Sequence, residues 1–328
     1  MRALMFTSSF VVVATCFACG GSTDATLDGG DDSGSGSDVT LSNDTGNGGD
    51  TAAADVEVGD ASTDQGTTPD ATGPFDPSQL GTNLVLWLEG DKGVTQTNNA
   101  VATWADQTNY HNDASGGTGQ FTHDPTYNAT AINNLPAVEF GAGQTQAGTY
   151  LTIPDSASLE LGAGDFAIFM VAEYTNPITG QGAGQGTFYN KVAGANTPTG
   201  PQLYGNAGGG NQTLAASIRA RINATDNVNS TGTTYNDGKY HRIGIRRNGT
   251  TLEVWTDGTA TSFQPDAGGN IDVSATGSDV YIGAAPGGNG FTTLRLVGGI
   301  AEVVGVKGTL SDGDASGLDG YFKSKYAL

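Results

Sequence analysis

The side chains best suited to ligand chemistry lie in the segment Tyr240–Trp255, which reads YHRIGIRRNGTTLEVW. Its Asn248-Gly249 pair stands between two alternating runs, and Asn-Gly is a strong signal for a two-residue β-hairpin turn. Counting outward from that turn pairs Arg247 with Thr250 and places the aliphatic residues of both strands on one face. The sequence therefore predicts an amphipathic hairpin with a polar outer face.

Three residues of that outer face form a candidate ligand platform. The predicted register places Arg242 directly across from Trp255, with Glu253 on the same face. An indole ring beside an arginine and a glutamate can stack on a sugar ring and hydrogen-bond its hydroxyl groups. The alternative is a cation-π pair that covers the outside of a sheet, or a tryptophan tucked under a loop.

Other residue types that carry catalysis are scattered. His111, His123 and His241 lie in three separate segments without a second ligand type at metal spacing, so we do not expect a zinc site. The chain has no Gly-rich phosphate loop and no G-x-S-x-G elbow. Its two cysteines, Cys16 and Cys19, both stand near the N-terminus. We therefore expect a protein without catalytic residues.

Composition and charge narrow the class further. The 328 residues include 52 Gly and 11 Pro, and only 14% are charged, which favours a turn-rich β protein. The formal net charge is −21. Such a chain repels phosphate backbones and anionic headgroups, so we expect neither nucleic-acid binding nor electrostatic docking on a membrane.

The N-terminus predicts export. Residues 1–18 carry one arginine followed by an apolar stretch too short for a membrane-spanning helix, and CFAC-GGS resembles the lipobox of bacterial lipoproteins. The resemblance implies that Cys19 is lipidated and that the protein is anchored to the bacterial outer membrane or cell surface through lipid only. Cys16 is the competing site, and an ordinary cleaved secretion signal is the alternative.

Residues 19–78 predict a disordered tether. They are rich in Gly, Ser, Thr and Asp and contain no Lys or Arg, so they cannot bury enough apolar surface to offset chain entropy. The folded domain is then expected at residues 79–328.

The predicted core of that domain is the run Gly164–Tyr174, which is apolar on both faces and therefore needs cover on both sides. Shorter strands are predicted at Thr187–Val192 and at Leu214–Ile222, where Arg219 and Arg221 alternate with aliphatic residues. After a Ser311 cap, the spacing of apolar residues predicts one short C-terminal helix. In the first strand of the domain, strict alternation puts one set of side chains on each face: Leu84, Leu86 and Leu88 opposite Val85 and Trp87.

The order of several segments resembles bacterial laminin-G-like domains of the concanavalin A-like lectin/glucanase superfamily. These segments are Ala102–Ala114 (ATWADQTNYHNDA), Pro125–Tyr127, Ile132–Phe140 and Tyr150–Leu159. The resemblance implies an all-β, two-sheet antiparallel jelly-roll sandwich. Where the family pattern usually has glycine, this chain has other residues: Asn109, His111 and Asn134.

The same resemblance suggests calcium and carbohydrate. Relatives of this fold hold calcium at the sandwich rim through hard oxygen ligands, and one loop here offers a matching set, with turn residues that bond their own backbone as the alternative. The candidate calcium ligands are Asp106, Asn109, Asn112 and Asp113.

Some relatives are glucanases with an E-x-D-x-x-E strand. Only Glu89-Gly-Asp91 begins that pattern here, and its third position is Val94, so a glycoside hydrolase is disfavoured. We expect a non-catalytic, lectin-like domain that binds carbohydrate or an extracellular matrix polymer. The alternative is a structural or protein-protein interaction module of the envelope without a glycan ligand.

The lipid anchor leads to a first prediction. Replacing Cys19 by Ser removes the acylated thiol, so the variant should leave the detergent phase in detergent partitioning, whereas Cys16→Ser should stay in it. The opposite pattern would assign the anchor to Cys16.

Overall fold

A computed structural model describes residues 74–116, 125–141, 149–175, 185–193, 199–206, 217–231, 235–265, 271–286 and 292–328. Cys19, the predicted signal peptide and most of the predicted tether lie outside these residues. The first described element is a 3₁₀ helix, Pro77–Asn83, whose N-terminus is capped by the Asp76 side chain. This helix overlaps the last residues assigned to the tether.

Short strands joined by turns make up most of the described chain, as the Gly-rich composition predicts. They are β1 (Leu84–Glu89), β2 (Val94–Thr97), β3 (Ala100–Trp104), β4 (Ala114–Gly116), β5 (Thr126–Ile132), β6 (Leu135–Phe140), β7 (Leu151–Ile153), β8 (Phe166–Ala172), β9 (Gly186–Asn190), β10 (Gln202–Asn206), β11 (Ser217–Arg221), β12 (Asn227–Asn229), β13 (His241–Asn248), β14 (Thr251–Thr256), β15 (Thr259–Pro265), β16 (Val280–Ile282), β17 (Ala285–Pro286), β18 (Thr292–Thr293) and β19 (Gly298–Lys307), followed by helix α1 (Asp312–Tyr326).

Within the described residues the strands pair antiparallel in two layers. The first sheet has the order β15-β14-β13-β8-β19, after which β1 and β6 pair with successive parts of β19 and β5 pairs with β6. The second sheet has the order β12-β11-β10-β9-β16-β7-β4-β3-β2. This arrangement confirms the predicted all-β sandwich.

Strand β8 is the centre of the first sheet, with β13 on one edge and β19 on the other. All seven of its residues are buried. Phe166, Ile168 and Met170 point into the core between the sheets, whereas Phe169 and Val171 point to the opposite side. The predicted double burial is therefore confirmed, and the outer face of this sheet needs its own cover.

Helix α1 supplies that cover. Ser311 caps it by accepting a hydrogen bond from the Asp314 N–H, and Leu318, Phe322 and Tyr326 are buried against the outer face of the first sheet. Gly317 is needed there because a Cβ would lie 2.6 Å from the ring of Phe75. The predicted C-terminal helix is confirmed, with 15 residues.

In strand β1 the predicted alternation is wrong at its first two residues. A register shift between Leu84 and Leu86 marks a β-bulge against β19. The bulge turns Val85 toward the inter-sheet core and leaves Leu84 beside Trp87 on the helix-covered side.

Beneath α1 lies a buried ion cluster formed by Glu89, Asp91, Glu302 and Lys325. Lys325 Nζ lies 2.8 Å from Glu89 Oε1, 3.1 Å from Asp91 Oδ1 and 2.9 Å from Glu302 Oε2. Burial raises the pKa of Glu302. Burial lowers the pKa of Lys325, but the charge of Glu302 and the hydrogen bonds to Glu89 and Glu302 outweigh it and raise that pKa overall. One ammonium thus ties the helix to both β1 and β19.

Removing that ammonium should weaken the whole domain. We expect Lys325→Met to lower the free energy of unfolding by about 3–5 kcal/mol, because the Glu302 carboxylate is left buried without its counter-charge. Since a raised folded-state pKa favours protonation in the folded state, the variant should regain stability as the pH falls through the pKa of Glu302.

Lys323→Met is the matched control, since Lys323 is exposed on the same helix. Urea unfolding at several pH values checks both variants, and an equal effect of the two substitutions would contradict the role of the cluster.

Candidate ligand-binding face

The turn of the β13–β14 hairpin lies one residue further along the chain than predicted, which shifts the cross-strand pairing by two residues. Asn248 pairs with Thr251, so the two turn residues are Gly249 and Thr250 rather than Asn248 and Gly249. Gly249 has φ 60°, which suits the first position of a type II′ turn. Trp255 therefore lies across from Gly244, and the predicted pairing of Arg242 with Trp255 is wrong.

The two faces of the hairpin are nevertheless as predicted, and the outer one is covered by α1. Trp255 is only 8% exposed, and its Nε1 donates a hydrogen bond to Glu253 Oε2 at 2.7 Å. The guanidinium of Arg246 lies 5.1 Å from the centre of its ring. Arg242 Nε donates to Asp319 Oδ1 of α1 at 2.7 Å. Because Arg242 is bound to the helix and Trp255 is buried, Arg242, Glu253 and Trp255 do not form an open platform for a sugar.

The candidate calcium ligands form a closed hydrogen-bond network. Asp106 Oδ1 accepts from the N–H groups of Trp87 and Thr108, and its Oδ2 accepts from Thr108 Oγ1 and the Asn112 N–H. Asn112 Oδ1 accepts from Ser156 Oγ at 2.7 Å. A calcium ion would have to displace several of these donors, so the loop does not fit the ion.

Of the other two candidate calcium ligands, Asp113 belongs to the same network, because its Oδ1 accepts from the Asp106 N–H at 2.9 Å. Asn109 is exposed. Throughout the part of the chain that the structure describes, no group of three or more His, Cys, Asp or Glu side chains is arranged to hold a metal ion.

Two of the three positions where the laminin-G-like pattern usually has glycine adopt left-handed backbone. His111 has φ 54° and Asn134 has φ 65°. Asn tolerates this region better than His, whose larger ring is here placed in solvent. The tight turns of the pattern are thus kept without glycine.

The incomplete glucanase pattern is also accounted for. Glu89 is 1% exposed, and with Asp91 it belongs to the ion cluster under α1. These carboxylates face a lysine rather than a cleft.

Another candidate lies on the outer face of the second sheet. Cross-strand pairing places polar side chains in one continuous line across eight strands, perpendicular to the strand direction. Adjacent strands lie about 4.8 Å apart, so the line extends roughly 30 Å. We call it the polar row; its members in order are Thr103, Ser115, Thr152, Tyr281, Asn190, Gln202, Arg221 and Asn227.

The centre of the polar row has unused hydrogen-bonding capacity. Gln202 Nε2 donates to Asn190 Oδ1 at 2.8 Å, which leaves Asn190 Nδ2 and Gln202 Oε1 buried without partners. Flipping both amides would exchange the roles and still leave one donor and one acceptor. Because such groups are costly to bury unpaired, they mark a place for a ligand that both accepts and donates. Oγ1 of Thr187, one row away, is also buried and unpartnered.

Aromatic and cationic side chains flank this centre. Tyr281 is next to Asn190 in the row, and its ring centre lies 5.8 Å from that of Tyr150. On the other side, the guanidinium of Arg219 lies 5.8 Å from the ring centre of Tyr204. The face therefore combines flat rings, amides and hydroxyl groups within a few residues.

Lys191 fixes the rim of the polar face. Its Nζ, which is fully buried, lies 2.6 Å from Asp155 Oδ1 and 3.2 Å from Glu160 Oε1. Burial acts to raise the pKa of Asp155, but the hydrogen bonds from Lys191 and its neighbours lower it to about 2. This clamp joins the residue after β9 to two neighbouring loops.

A cavity of about 550 Å³ lies beside α1. It is lined by Pro74, Phe75, Gly317, Tyr321 and Lys325, among others. Its polar groups are already engaged, since Lys325 binds three carboxylates and Asp76 caps the 3₁₀ helix. It is a weaker candidate than the polar row.

The sequence did not predict the polar row, but it predicted the outward-facing side of one strand that contributes to it. The alternation around Arg219 and Arg221 correctly put both arginines on the outer face of β11. The alternation could not predict the order of the strands in the sheet. Strand β16 lies between β7 and β9 in the sheet, although the three strands are far apart in the chain.

Part of the chain is similar to laminin G domains. A family model described as "Laminin G domain" matches residues 211–312. None of the curated proteins compared with the chain matches it. In the part of the chain that the structure describes, no helix is long and apolar enough to cross a membrane.

Several solved structures are similar to the chain. Botulinum neurotoxin type C is 9% identical with a TM-score of 0.51, over 75% of this chain and 53% of that one. The binding domain of Paraclostridial Mosquitocidal Protein 1 is 13% identical with a TM-score of 0.49, over 74% and 53%. A Trypanosoma rangeli sialidase is 14% identical with a TM-score of 0.44, over 72% and 32%. The chain thus spans about half the length, or less, of these matched structures.

The Asp106 network leads to a test of its role. We expect Asp106→Asn to lower the free energy of unfolding by about 2–3 kcal/mol, because the carboxylate accepts four hydrogen bonds in a buried site. Millimolar calcium should leave the melting temperature of the wild-type protein unchanged.

Asn109→Ala is the control and should change stability by no more than about 0.5 kcal/mol. A calcium-dependent rise in melting temperature that disappears in Asp106→Asn would show that the loop binds the ion after all.

Proposed function

We propose that the domain is a non-catalytic glycan-binding module and that its ligand lies along the polar row. The observation that carries the proposal is the buried donor of Asn190 and the buried acceptor of Gln202, which have no hydrogen-bond partner in the protein. A sugar hydroxyl group is both donor and acceptor, so one hydroxyl can satisfy both atoms. In the full protein, export and lipidation at Cys19 would place this module at the bacterial cell surface.

The flanking tyrosine supports the same ligand class. Tyr281 is half-buried beside Asn190, with Tyr150 against it. Aromatic rings next to amide and hydroxyl groups suit sugars, which have apolar ring faces and polar edges. Botulinum neurotoxin type C, which shares the fold, is described as depending on two ganglioside molecules for cell entry. That dependence belongs to the toxin, and the proposal here stands on the polar row.

The surface disfavours a protein-interaction module. Stable protein interfaces use exposed apolar patches, and Tyr110, at 45%, is the one large apolar side chain exposed among the described residues. The polar row instead consists of hydroxyl and amide side chains and one arginine. The proposal includes an extracellular matrix polymer as ligand if the domain binds the glycan part of that polymer.

The test is a glycan array probed with the purified, soluble Cys19→Ser protein, followed by calorimetry on the bound glycans. We expect Tyr281→Ala to weaken binding about tenfold or more through lost stacking. Gln202→Met, which keeps the side-chain length and removes the acceptor, should weaken it by a similar factor.

Tyr110→Ala is the matched aromatic control, because Tyr110 is exposed and is not part of the polar row. Its affinity should equal that of the unsubstituted protein. Absence of binding to every glycan, or unchanged affinity in both row variants with intact thermal unfolding, would contradict the proposal.

A further inference from the structure

The two arginines on β11 differ from Arg242 and Arg246 of the first sheet in their partners. Arg242 and Arg246 bind carboxylates of α1, at Asp319 and Asp312. By contrast, Arg219 and Arg221 make no ion pair with any carboxylate among the residues that the structure describes. In a chain with 34 acidic and 13 basic side chains, two neighbouring guanidinium groups without a carboxylate are a departure that needs a reason.

Both groups point onto the polar face. Arg221 is itself a member of the polar row, directly across from Gln202, and Arg219 lies across from Tyr204. Residues two apart on a strand lie on the same face with about 6.6 Å between them. Arg219 donates to Asn227 Oδ1 and keeps its Nε buried without a partner. The arginines thus extend the hydrogen-bonding centre of the row at one end.

The electrostatic setting favours an anion there. Neither the polar row nor its neighbours Thr187, Tyr204 and Arg219 include an acidic residue. Asp226, which follows β11, accepts a hydrogen bond from Asn223 Nδ2 at 2.8 Å. Burial and the charge of Arg219 lower the pKa of Arg221. An anion placed between the two guanidinium groups would relieve their mutual repulsion.

The length of the row indicates the shape of the ligand. Eight polar side chains in a line of roughly 30 Å exceed what a single terminal sugar can contact. A linear chain lying across the strands would reach Tyr281, the free amides and the arginines together.

We infer that the ligand of the polar row is a linear acidic polysaccharide whose carboxylate or sulfate groups bind Arg219 and Arg221. The inference rests on the proposed glycan-binding function and adds the charge and the shape of the glycan. Guanidinium forms paired, charge-assisted hydrogen bonds with carboxylate and sulfate oxygens, which gives these residues a specific role.

The negative charge of the whole chain is compatible with such a ligand. Thirteen of the 34 acidic residues lie at 20–78, outside the domain. At physiological salt, exposed charges more than about 8 Å apart are largely screened, so the groups that touch the ligand decide its sign.

The test uses matched polymer pairs that differ in charge alone. The purified Cys19→Ser protein is titrated with polygalacturonate and its methyl ester, with hyaluronan and its methyl ester, and with chondroitin sulfate and desulfated, methyl-esterified chondroitin. We expect at least one acidic polymer to bind about tenfold or more tightly than its neutral partner. Added salt should reduce that difference.

Variants then locate the charge. Arg221→Gln should abolish the preference for the acidic polymer, and Arg221→Lys should restore part of it because the charge returns without the paired geometry. Lys323→Gln removes the same charge from the exposed side of α1 and should leave binding unchanged.

The outcomes separate this inference from the proposed function. Equal binding of both members of each pair, with binding still reduced by Tyr281→Ala, would refute the acidic ligand and keep glycan binding. A preference for the acidic polymer that survives in Arg221→Gln and in Arg219→Gln would also refute it. Binding of none of the six polymers, together with an empty glycan array, would refute both.

Discussion

Strand β8 has large apolar side chains on both of its faces, and a strand of this kind cannot lie at the surface of a protein in water. Its inner face is covered by the second sheet, as in any sandwich. Its outer face is covered by α1, which packs Phe322 and Leu318 over Phe169 and Val171. The layer order of the domain, helix on first sheet on second sheet, follows from this single requirement.

That layer order decides where a ligand can bind. Arg242 and Arg246 of the β13–β14 hairpin bind carboxylates of α1, and Glu253 accepts hydrogen bonds from Arg246 and Trp255. The carboxylates of β1 and β19 are paired with Lys325. The outer face of the second sheet has no helix against it among the described elements. Its polar side chains keep hydrogen-bonding capacity that the first sheet has already used.

Much of the fold could be predicted from the chain, because local patterns decide it. The two-faced apolar run of β8, the alternation of β11 and the Ser311 cap each depend on neighbours a few residues away. The bulge in β1 and the one-residue shift at Gly249 could not be predicted, since both depend on how a partner strand packs. An Asn-Gly pair marks a turn, but the turn type decides which residue comes first.

The candidate site was harder to predict for a related reason. The sequence correctly places three residues on one face of the hairpin and so suggests a sugar platform: Arg242, Glu253 and Trp255. The helix that covers this face lies some 60 residues further along the chain, so the pattern of the hairpin alone could not predict it. The polar row is the converse case. Its residues come from eight separate strands, and each one alone is an ordinary polar residue on a half-buried strand.

The cover that α1 provides also limits the valency of the domain. A sandwich with both outer faces open could join two polymer chains, but with one face closed each copy offers a single row. A lone copy would therefore bind a polymer without cross-linking it. Many copies held on one surface could engage successive stretches of the same polymer, and their combined avidity would exceed the affinity of each domain by orders of magnitude. Strong adhesion would then depend on the surface density of the protein.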